Sequence, residues 1–351
     1  MFYFYIKVFF VSITHIPKTM DTLRGTIMNQ ITPLPLWEAA KREMEEYQFV
    51  SSADVQPKWT VPETIAINVA VSGRFTEGAS ADAANPTSLE DYVDEASRVI
   101  EAGACGVHID FTWVTDKHGR RLDRDLPPVD AYTAVIEPLR KRFGNDFVPN
   151  LNVLNGTTFD VCLSPARAGL AEACPCAPGH PDAFMIPAVS AMEELGVKPE
   201  LAVHHSGEIE LARRKLIETG ILKKPYNWLI LYGLPFNVGR SLASGTSVGD
   251  AQEMAQHLFL MVDQIRKIDP ESVISVCAAG RSTLYMTTLA TMMGLHIRVG
   301  VEDTPWKFPN QNVELKSNLE MFTMAKDIAG LLGRTPGNAN YYRGLVGLPQ
   351  K

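Results

Sequence analysis

The segment Leu295-His-Ile-Arg-Val-Gly-Val-Glu-Asp303 is a short apolar run that ends abruptly in two adjacent carboxylates. A second apolar run, Cys105-Gly-Val-His-Ile-Asp-Phe111, carries His108 and Asp110 two residues apart. Side chains at positions i and i+2 of a strand point to the same face, so both can face one cavity. An imidazole and carboxylates at the ends of buried strands indicate a metal site in an α/β enzyme.

Apolar, β-branched segments recur along the chain and alternate with stretches of helical periodicity. The predicted strands are Thr64–Val71, Gly106–Phe111, Phe147–Val153, Ala183–Pro187, Leu201–His205, Asn227–Tyr232, Ser272–Cys277 and His296–Val301. Strands that are apolar on both faces and are each followed by a helix predict an α/β protein, a (β/α)8 TIM barrel with an N-terminal extension. A doubly wound open sheet is the alternative, but no Gly-x-Gly-x-x-Gly follows the first strand.

The clearest predicted helix is Leu89–Ala102. Thr87 or Ser88 can cap its start, and Gly103 can end it. Further helices are predicted at Glu208–Thr219, Val248–Lys267, Leu284–Met293 and Glu314–Leu332.

Three parts are predicted along the chain: an N-terminal extension (1–60), the catalytic barrel (61–335) and a C-terminal tail (336–351). Residues 156–182 are rich in Pro, Cys and Gly and are interpreted as an insertion after the third strand. The first twenty residues are hydrophobic but lack a basic n-region and a small-x-small cleavage site. We therefore expect a mis-assigned start, with initiation at Met20 or Met28, rather than secretion.

Composition limits the classes of partner. The formal net charge of −7 gives no general attraction to nucleic acid or to an anionic membrane, so neither is predicted as a partner. The five cysteines cannot all pair within one chain. Cys105 and Cys277 lie in apolar runs and are predicted core residues, whereas Cys174 and Cys176 lack the second pair that a zinc site would need. These features predict a cytoplasmic protein.

Polar residues collect where the predicted strands end, which is where TIM-barrel active sites are built. The predicted substrate-binding residues in these positions are Ser72, Arg74, Asn152, Asn155, His204 and His205. Glu302 is expected on a strand that neighbours the His108 strand once the barrel closes. Simpler roles exist, since a lone histidine on a strand is often a satisfied core residue and Arg298 can simply pair with Glu302 or Asp303.

Five short motifs follow one another between about Ile65 and Leu332 and together carry a family resemblance. They are Val107-His-Ile-Asp-Phe111, Val197-Lys-Pro-Glu-Leu201, Leu231-Tyr-Gly-Leu-Pro235, Arg298-Val-Gly-Val-Glu-Asp303 and Lys316-Ser-Asn318. In this order they resemble the motifs of the β-keto acid cleavage enzymes (BKACE), of which 3-keto-5-aminohexanoate cleavage is the founding activity. The resemblance implies a zinc-dependent (β/α)8 barrel that assembles as a homotetramer. It also implies acetyl transfer between a small β-keto acid and acetyl-CoA, giving acetoacetyl-CoA or the corresponding CoA ester and a shortened product.

The resemblance also implies roles for single residues. His108 and Glu302 would be metal ligands, Asp303 would be the general base of a retro-Claisen sequence, and Arg298 would orient Asp303. Asp303 would need partial desolvation for its basicity to suit neutral pH.

The sequence departs from the family pattern at two informative positions. Asp110 stands where the family has a second metal-binding histidine; a carboxylate makes the ligand set harder, so manganese, iron or magnesium become plausible beside zinc. His204 or His205 is then a candidate for a replacement imidazole. Phe75 stands where the founding enzyme has an acid that receives the substrate amine, which predicts a neutral or anionic substrate tail.

Two alternative functions stay open from the sequence. One is a metal-dependent aldolase or hydrolase of a small oxo acid without CoA, because no glycine-rich loop marks a CoA site. The other is a non-catalytic barrel that binds a small acid. Arg281 and Lys307 are possible phosphate contacts, and a requirement for acetyl-CoA in turnover would separate the two enzyme alternatives.

Overall fold

The structure is a computed structural model of the chain. The residues that it describes are 34–48, 58, 60–72, 84, 86, 88–111, 128–152, 158–232 and 251–351. The chain divides into two units, 1–60 and 61–351. In the first unit the described part contains one helix, α1 (Leu34–Gln48), on which Trp37 and Met44 are exposed.

Eight parallel strands close into a barrel in sequential order, β2 to β9. They are β2 (Ile67–Ala70), β3 (Gly106–Ile109), β4 (Val148–Leu151), β5 (Ala173–Cys176), β6 (Lys198–Val203), β7 (Asn227–Tyr232), β8 (Val273–Ala278) and β9 (His296–Val299). A separate two-stranded sheet pairs β1 (Thr64–Ile65) with β10 (Thr335–Pro336). The predicted TIM barrel is confirmed.

Helices connect the barrel strands, and one further helix follows β10. They are α2 (Leu89–Ala102), α3 (Pro128–Phe143), α4 (Phe159–Arg167), α5 (Asp182–Leu195), α6 (Ser206–Ala212), α7 (Ala251–Ile268), α8 (Thr283–Met292), α9 (Asn318–Leu331) and α10 (Ala339–Val346). The predicted bounds of α2 are correct: the Ser88 hydroxyl accepts the Asp91 N–H at 3.1 Å, and Gly103 ends the helix at a φ of 106°. At this φ a side chain would be strained, so glycine suits the position.

The predicted fourth strand is wrong. Residues 183–187 lie inside helix α5. The fourth barrel strand is instead β5, Ala173–Cys176. This strand lies in the Pro-rich segment that was interpreted from the sequence as an insertion. Residues 156–182 are therefore not an insertion, since they contain α4 and β5. A short apolar run does not distinguish a strand from one face of a buried helix, which explains the error.

Alternation along the strands decides which side chains enter the barrel. In β3, Val107 and Ile109 belong to the main apolar core together with residues of the surrounding helices. In β9, Ile297 and Val299 do the same. Because successive strand residues face opposite sides, His108 and Arg298 point into the barrel interior. The sequence therefore places polar side chains inside the barrel, while the apolar residues of these two strands face the helices.

A buried arginine fastens helix α10 to the N-terminal end of the barrel. Arg343 is fully buried, and its Nε donates to Glu172 Oε2 at 2.8 Å. The same guanidinium donates to the carbonyl oxygens of Asn145 and Phe147, just before β4. Lys351 Nζ also reaches Glu172, at 2.8 Å. Residues 336–351, interpreted from the sequence as a tail, thus contain a helix that packs under the barrel.

Among the helices in the described part of the chain, none is both long enough and apolar enough to cross a bilayer.

Replacing Arg343 by leucine is expected to destabilise the barrel by roughly 3–5 kcal/mol, because Glu172 is left as a poorly compensated charge in a buried place. Urea unfolding followed by circular dichroism measures the loss. The matched control is Arg142→Ala, which breaks an exposed ion pair with Glu101 and should cost under about 1 kcal/mol. Equal losses in the two variants would contradict the role of Arg343.

The same cluster predicts acid sensitivity. Burial opposes ionisation of Glu172, but the hydrogen bonds from Arg343 and Lys351 outweigh it and hold the pKa of this carboxyl below its ordinary 4.5. A lowered folded-state pKa stabilises the fold above the unfolded-state pKa, and this stabilisation is lost as pH falls through the folded-state value. The urea midpoint of Glu172→Gln should therefore fall less steeply than wild type on acidification below about pH 4.5. Parallel curves would contradict this linkage.

Candidate active site

The turn after β9 is locked against the barrel wall. Gly300 has a φ of 148°, and a Cβ there would lie 2.0 Å from the Ala70 carbonyl oxygen of β2. The turn is closed by hydrogen bonds from the Asp303 and Thr304 N–H groups to the Gly300 carbonyl oxygen, at 3.1 and 3.3 Å. Only glycine allows this close approach, so this residue fixes where the following acids Glu302 and Asp303 lie.

Three buried side chains converge at this turn. His108, Asp110 and Glu302 are each at most 2 % exposed. They offer ligand atoms that all lie within 4.8 Å of one another. His108 Nε2 is 3.5 Å from Glu302 Oε1. We call these three residues the ligand cluster.

The strands that carry the ligand cluster differ from the prediction in one respect. β2 lies between β3 and β9, so the Glu302 strand is not adjacent to the His108 strand. The two side chains still meet because both point into the narrow interior of the barrel, past the end of β2.

Arg298 lies beside both acids of the turn. One guanidinium nitrogen donates to Asp303 Oδ1 at 2.7 Å and lies 3.5 Å from Glu302 Oε1. Asp303 is fully buried, and its Oδ2 has no hydrogen-bond partner among the residues that the structure describes. The two oxygens of Asp303 therefore differ, since Arg298 holds one of them and no described residue donates a hydrogen bond to the other.

Burial and neighbouring charges shift the pKa values of the site. Burial raises the pKa of Asp303 and the Glu302 carboxylate raises it further, which Arg298 only partly offsets. Burial alone would lower the pKa of His108, but the Glu302 and Asp110 carboxylates outweigh it and raise this pKa. Asp303 is consequently more basic than an exposed aspartate.

A second layer of hydrogen bonds orients His108. Its Nδ1 lies 3.2 Å from Asn150 Oδ1, and Asn150 Nδ2 donates to Glu200 Oε2 at 2.9 Å. Because the amide oxygen can only accept, Nδ1 carries a proton, and this hydrogen bond turns Nε2 toward Glu302.

Ser72 and Asn152, two of the predicted substrate-binding residues, contact Asp110. The Ser72 hydroxyl accepts the Asp110 backbone N–H at 2.9 Å, and Asn152 Nδ2 donates to Asp110 Oδ2 at 2.7 Å. His204 and His205 instead contact Glu208, with His204 Nδ1 at 2.8 Å from Glu208 Oε2.

The remaining predicted positions divide in two. Arg74 and Asn155 lie outside the described residues. Arg281, a predicted phosphate contact, stacks on the Trp306 ring at 4.3 Å, and Lys307 pairs with Glu320 at 2.6 Å. Both cations thus have partners within the protein, and their expected contact with phosphate stays a prediction.

Sequence reasoning missed the roles of two neighbours of the site. Cys277, predicted only as a core residue, contacts Asp303 and Arg298, and burial raises its pKa so that it stays a thiol. Asn318 is fully buried and accepts the Val301 N–H at 2.9 Å while donating to the Val71 carbonyl oxygen. The Lys316-Ser-Asn318 motif was the sequence signal that could have indicated the role of Asn318.

The ligand cluster suits a divalent cation. Its donors are one imidazole nitrogen and carboxylate oxygens, which are common ligands of Zn²⁺ and of harder ions such as Mn²⁺. When ionised, the carboxylates of Asp110, Glu302 and Asp303 outnumber the single Arg298 cation. Buried negative charge in excess of its counter-charge favours binding of a cation.

A sequence model of the beta-keto acid cleavage enzymes matches residues 64–348, so the chain belongs to this family. It is 25% identical over 279 residues to the 3-keto-5-aminohexanoate cleavage enzyme of Acetoanaerobium sticklandii, covering 75% of this chain and 91% of that one. It is also 31% identical over 150 residues to the enzyme of the same name from Fusobacterium nucleatum subsp. nucleatum. That alignment covers 42% of this chain and spans about half, 47%, of the relative.

Solved structures share the fold. A binary complex of ObcA with oxaloacetate matches with a TM-score of 0.59 at 20% identity, over 75% of this chain and 67% of that one. A ternary complex of ObcA with a C4-CoA adduct and oxalate matches with a TM-score of 0.57 at 21% identity, with the same coverage. A type I 3-dehydroquinate dehydratase from Clostridium difficile matches at 0.50, covering 78% and 94% of the two chains. At these identities the likeness concerns the barrel alone.

Proposed function

We propose that this family member is a metal-dependent enzyme that cleaves a small β-keto acid in a retro-Claisen reaction and exchanges acetyl units with acetyl-CoA. The observation that carries the proposal is Asp303, a buried carboxylate with one oxygen held by Arg298 and the other unbonded, directly beside the ligand cluster. This arrangement joins a base to a cation-binding group, and both can assist cleavage next to a carbonyl.

The proposed metal ligands are His108, Asp110 and Glu302. A bound divalent ion would act as a Lewis acid on the carbonyl and carboxylate oxygens of the keto acid. Zinc is the leading candidate, with manganese, iron or magnesium as alternatives because Asp110 contributes a hard oxygen. Asn150, through its bond to Glu200, would keep His108 in the tautomer that binds metal.

Asp303 is the proposed general base. Its free Oδ2 would take a proton from the bound substrate, while Arg298 holds Oδ1 and so fixes the direction of the lone pairs. The raised pKa of Asp303, caused first by burial, brings its basicity closer to neutral pH. Arg298 would stay charged throughout and limit repulsion between Asp303 and Glu302.

The proposed substrate has a neutral or anionic tail. Phe75 stands where the founding enzyme has an amine-binding acid. The proposed substrate-binding residues are Ser72, Arg74, Asn152, Asn155, His204 and His205. The ObcA ternary complex with a C4-CoA adduct supports a CoA-linked reaction for this chain. A homotetramer is proposed from the family resemblance.

The metal proposal predicts about one equivalent of divalent metal per chain by plasma mass spectrometry. Loss of an outer-shell partner weakens metal affinity by roughly 10–100-fold. Asp110→Ala removes a proposed ligand itself, so its metal affinity should fall by more than this. The matched control, Asp94→Ala, changes an exposed aspartate on α2 and should keep wild-type metal. Metal-free wild type after incubation with zinc or manganese would instead favour the non-catalytic acid-binding barrel.

The base proposal predicts that Asp303→Asn lowers kcat by about 10²–10⁴-fold while metal content stays at the wild-type level. Turnover is followed as acetyl-CoA consumption across β-keto acids with neutral and carboxylate tails. Glu302→Gln is the comparison variant, because it should lose metal and activity together. A fully active Asp303→Asn enzyme would remove the proposed base, and turnover without acetyl-CoA would favour the aldolase or hydrolase alternative.

A further inference from the structure

Asp110 lies one residue beyond the end of its strand, where the paired residues of the barrel no longer hold the backbone. β3 ends at Ile109, and the neighbouring strand β4 ends at Leu151. These two residues are partners across the strands, and the pairing stops with them. A carboxylate that joins two other side chains at a cation site has to be held within about 0.5 Å. Asp110 therefore needs restraints from outside the sheet.

A buried tyrosine on helix α3 supplies one of these restraints. Tyr132 is fully buried, and its hydroxyl donates to the Asn152 carbonyl oxygen at 2.8 Å. The same hydroxyl lies 3.3 Å from the Ile109 carbonyl oxygen, which also accepts the Asn152 N–H at 3.1 Å. The hydroxyl therefore ties the residue that precedes Asp110 to the residue that follows β4.

The ring of Tyr132 packs on the residue that follows Asp110. Phe111 is buried, and the centre of its ring lies 4.7 Å from that of Tyr132. On its other side the Tyr92 ring of α2 lies at 5.0 Å in an edge-to-face arrangement. Aromatic pairs at such separations add stability beyond the area that they bury. Tyr132 thus contacts the chain on both sides of Asp110.

These contacts bear on where the Asp110 carboxylate lies. Asn152 Nδ2 donates to Asp110 Oδ2 at 2.7 Å, and the carbonyl oxygen of the same Asn152 is the one that Tyr132 holds. A shift of the end of β4 against the end of β3 would therefore move the amide that orients the carboxylate. The carboxylate would then turn away from His108 and Glu302, the other members of the ligand cluster.

The phenol contributes geometry and not charge. Burial first, and the nearby Asp110 carboxylate second, raise the pKa of Tyr132 well above its ordinary value of 10.0. The hydroxyl therefore keeps its proton and donates it to a carbonyl oxygen. A neutral Tyr132 adds no charge to a site where Asp110 and Glu302 already bring two carboxylates.

We propose that Tyr132 is a positioning residue of the ligand cluster, which acts through Asn152 and through the backbone on both sides of Asp110. The inference rests on the proposed function, because it takes Asp110 as a metal ligand. Outer-shell groups of this kind orient the ligands of metal sites and raise the affinity for the ion. Tyr132 differs from other such groups in that it holds two strand ends at once.

Tyr132→Phe tests the hydroxyl alone, because the ring keeps its contact with Phe111. Its zinc affinity, measured by competition with a chromophoric chelator, should fall about tenfold, at the low end of what loss of an outer-shell partner costs. The matched control is Tyr341→Phe on α10, which also removes a hydroxyl that donates to a carbonyl oxygen, that of Thr64 at 3.0 Å. This control should keep wild-type zinc affinity. Equal losses in the two variants would overturn the proposal.

The surroundings of the bound ion give a readout that a general loss of stability would not change. The geometry of a transition-metal site reflects its ligands, and the visible absorption of Co²⁺ reports this geometry. At saturating Co²⁺, the bands of Tyr132→Phe should differ from those of wild type, and the bands of Tyr341→Phe should not. Bands that are identical in wild type and Tyr132→Phe would contradict the positioning role.

Hydrogen exchange of the metal-free protein separates this proposal from the proposed function. The Asp110 N–H donates to the Ser72 hydroxyl, so its exchange reports how firmly Asp110 is held. Followed by mass spectrometry, it should be about fivefold faster in Tyr132→Phe and unchanged in Tyr341→Phe. If wild type binds no divalent ion but this difference is found, the proposed function fails while Tyr132 still fixes Asp110. Equal exchange in wild type and Tyr132→Phe would overturn the inference itself.

Discussion

The ion pair between Arg298 and Asp303 is the interaction on which the rest of the site depends. Both side chains lie inside the barrel, where water can hardly screen them, and the adjacent Glu302 adds a second negative charge. Without the guanidinium, two carboxylates would be buried side by side at a cost of several kcal/mol. The arginine therefore allows the barrel to hold adjacent acids, of which one can face a cation and the other a substrate.

Much of the fold follows from local patterns in the sequence. Helix α2 was predictable because its cap, its acidic first turn and its terminal glycine all agree with its apolar face. Strand β5 was not, because Pro175 lacks an N–H and the run Ala173–Cys176 contains no β-branched residue. The nearby run 183–187 is equally apolar but lies on a helix. Its identity is settled by tertiary packing and not by local propensity.

The residues of the site that lie in short contiguous motifs could be predicted from the sequence. His108 and Asp110 share a strand face by simple alternation, and Glu302 follows an apolar strand. Asn150 was not predictable, since its contact with His108 depends on the register of β3 against β4. Nor was the contact of Cys277 with Asp303, because the stagger between β8 and the turn after β9 sets it. Long-range register is a property of the closed barrel that sequence spacing does not reveal.

Gly300 has a consequence for how such an enzyme can change. Its backbone touches the Ala70 carbonyl oxygen of β2, so the turn that carries both acids is part of the barrel wall and not of a movable loop. Loops at the mouth can then be lengthened, shortened or replaced while the acids keep their place. Evolutionary divergence in this barrel can therefore change which substrate the loops at the rim recognise, while the residues of the reaction centre stay unchanged.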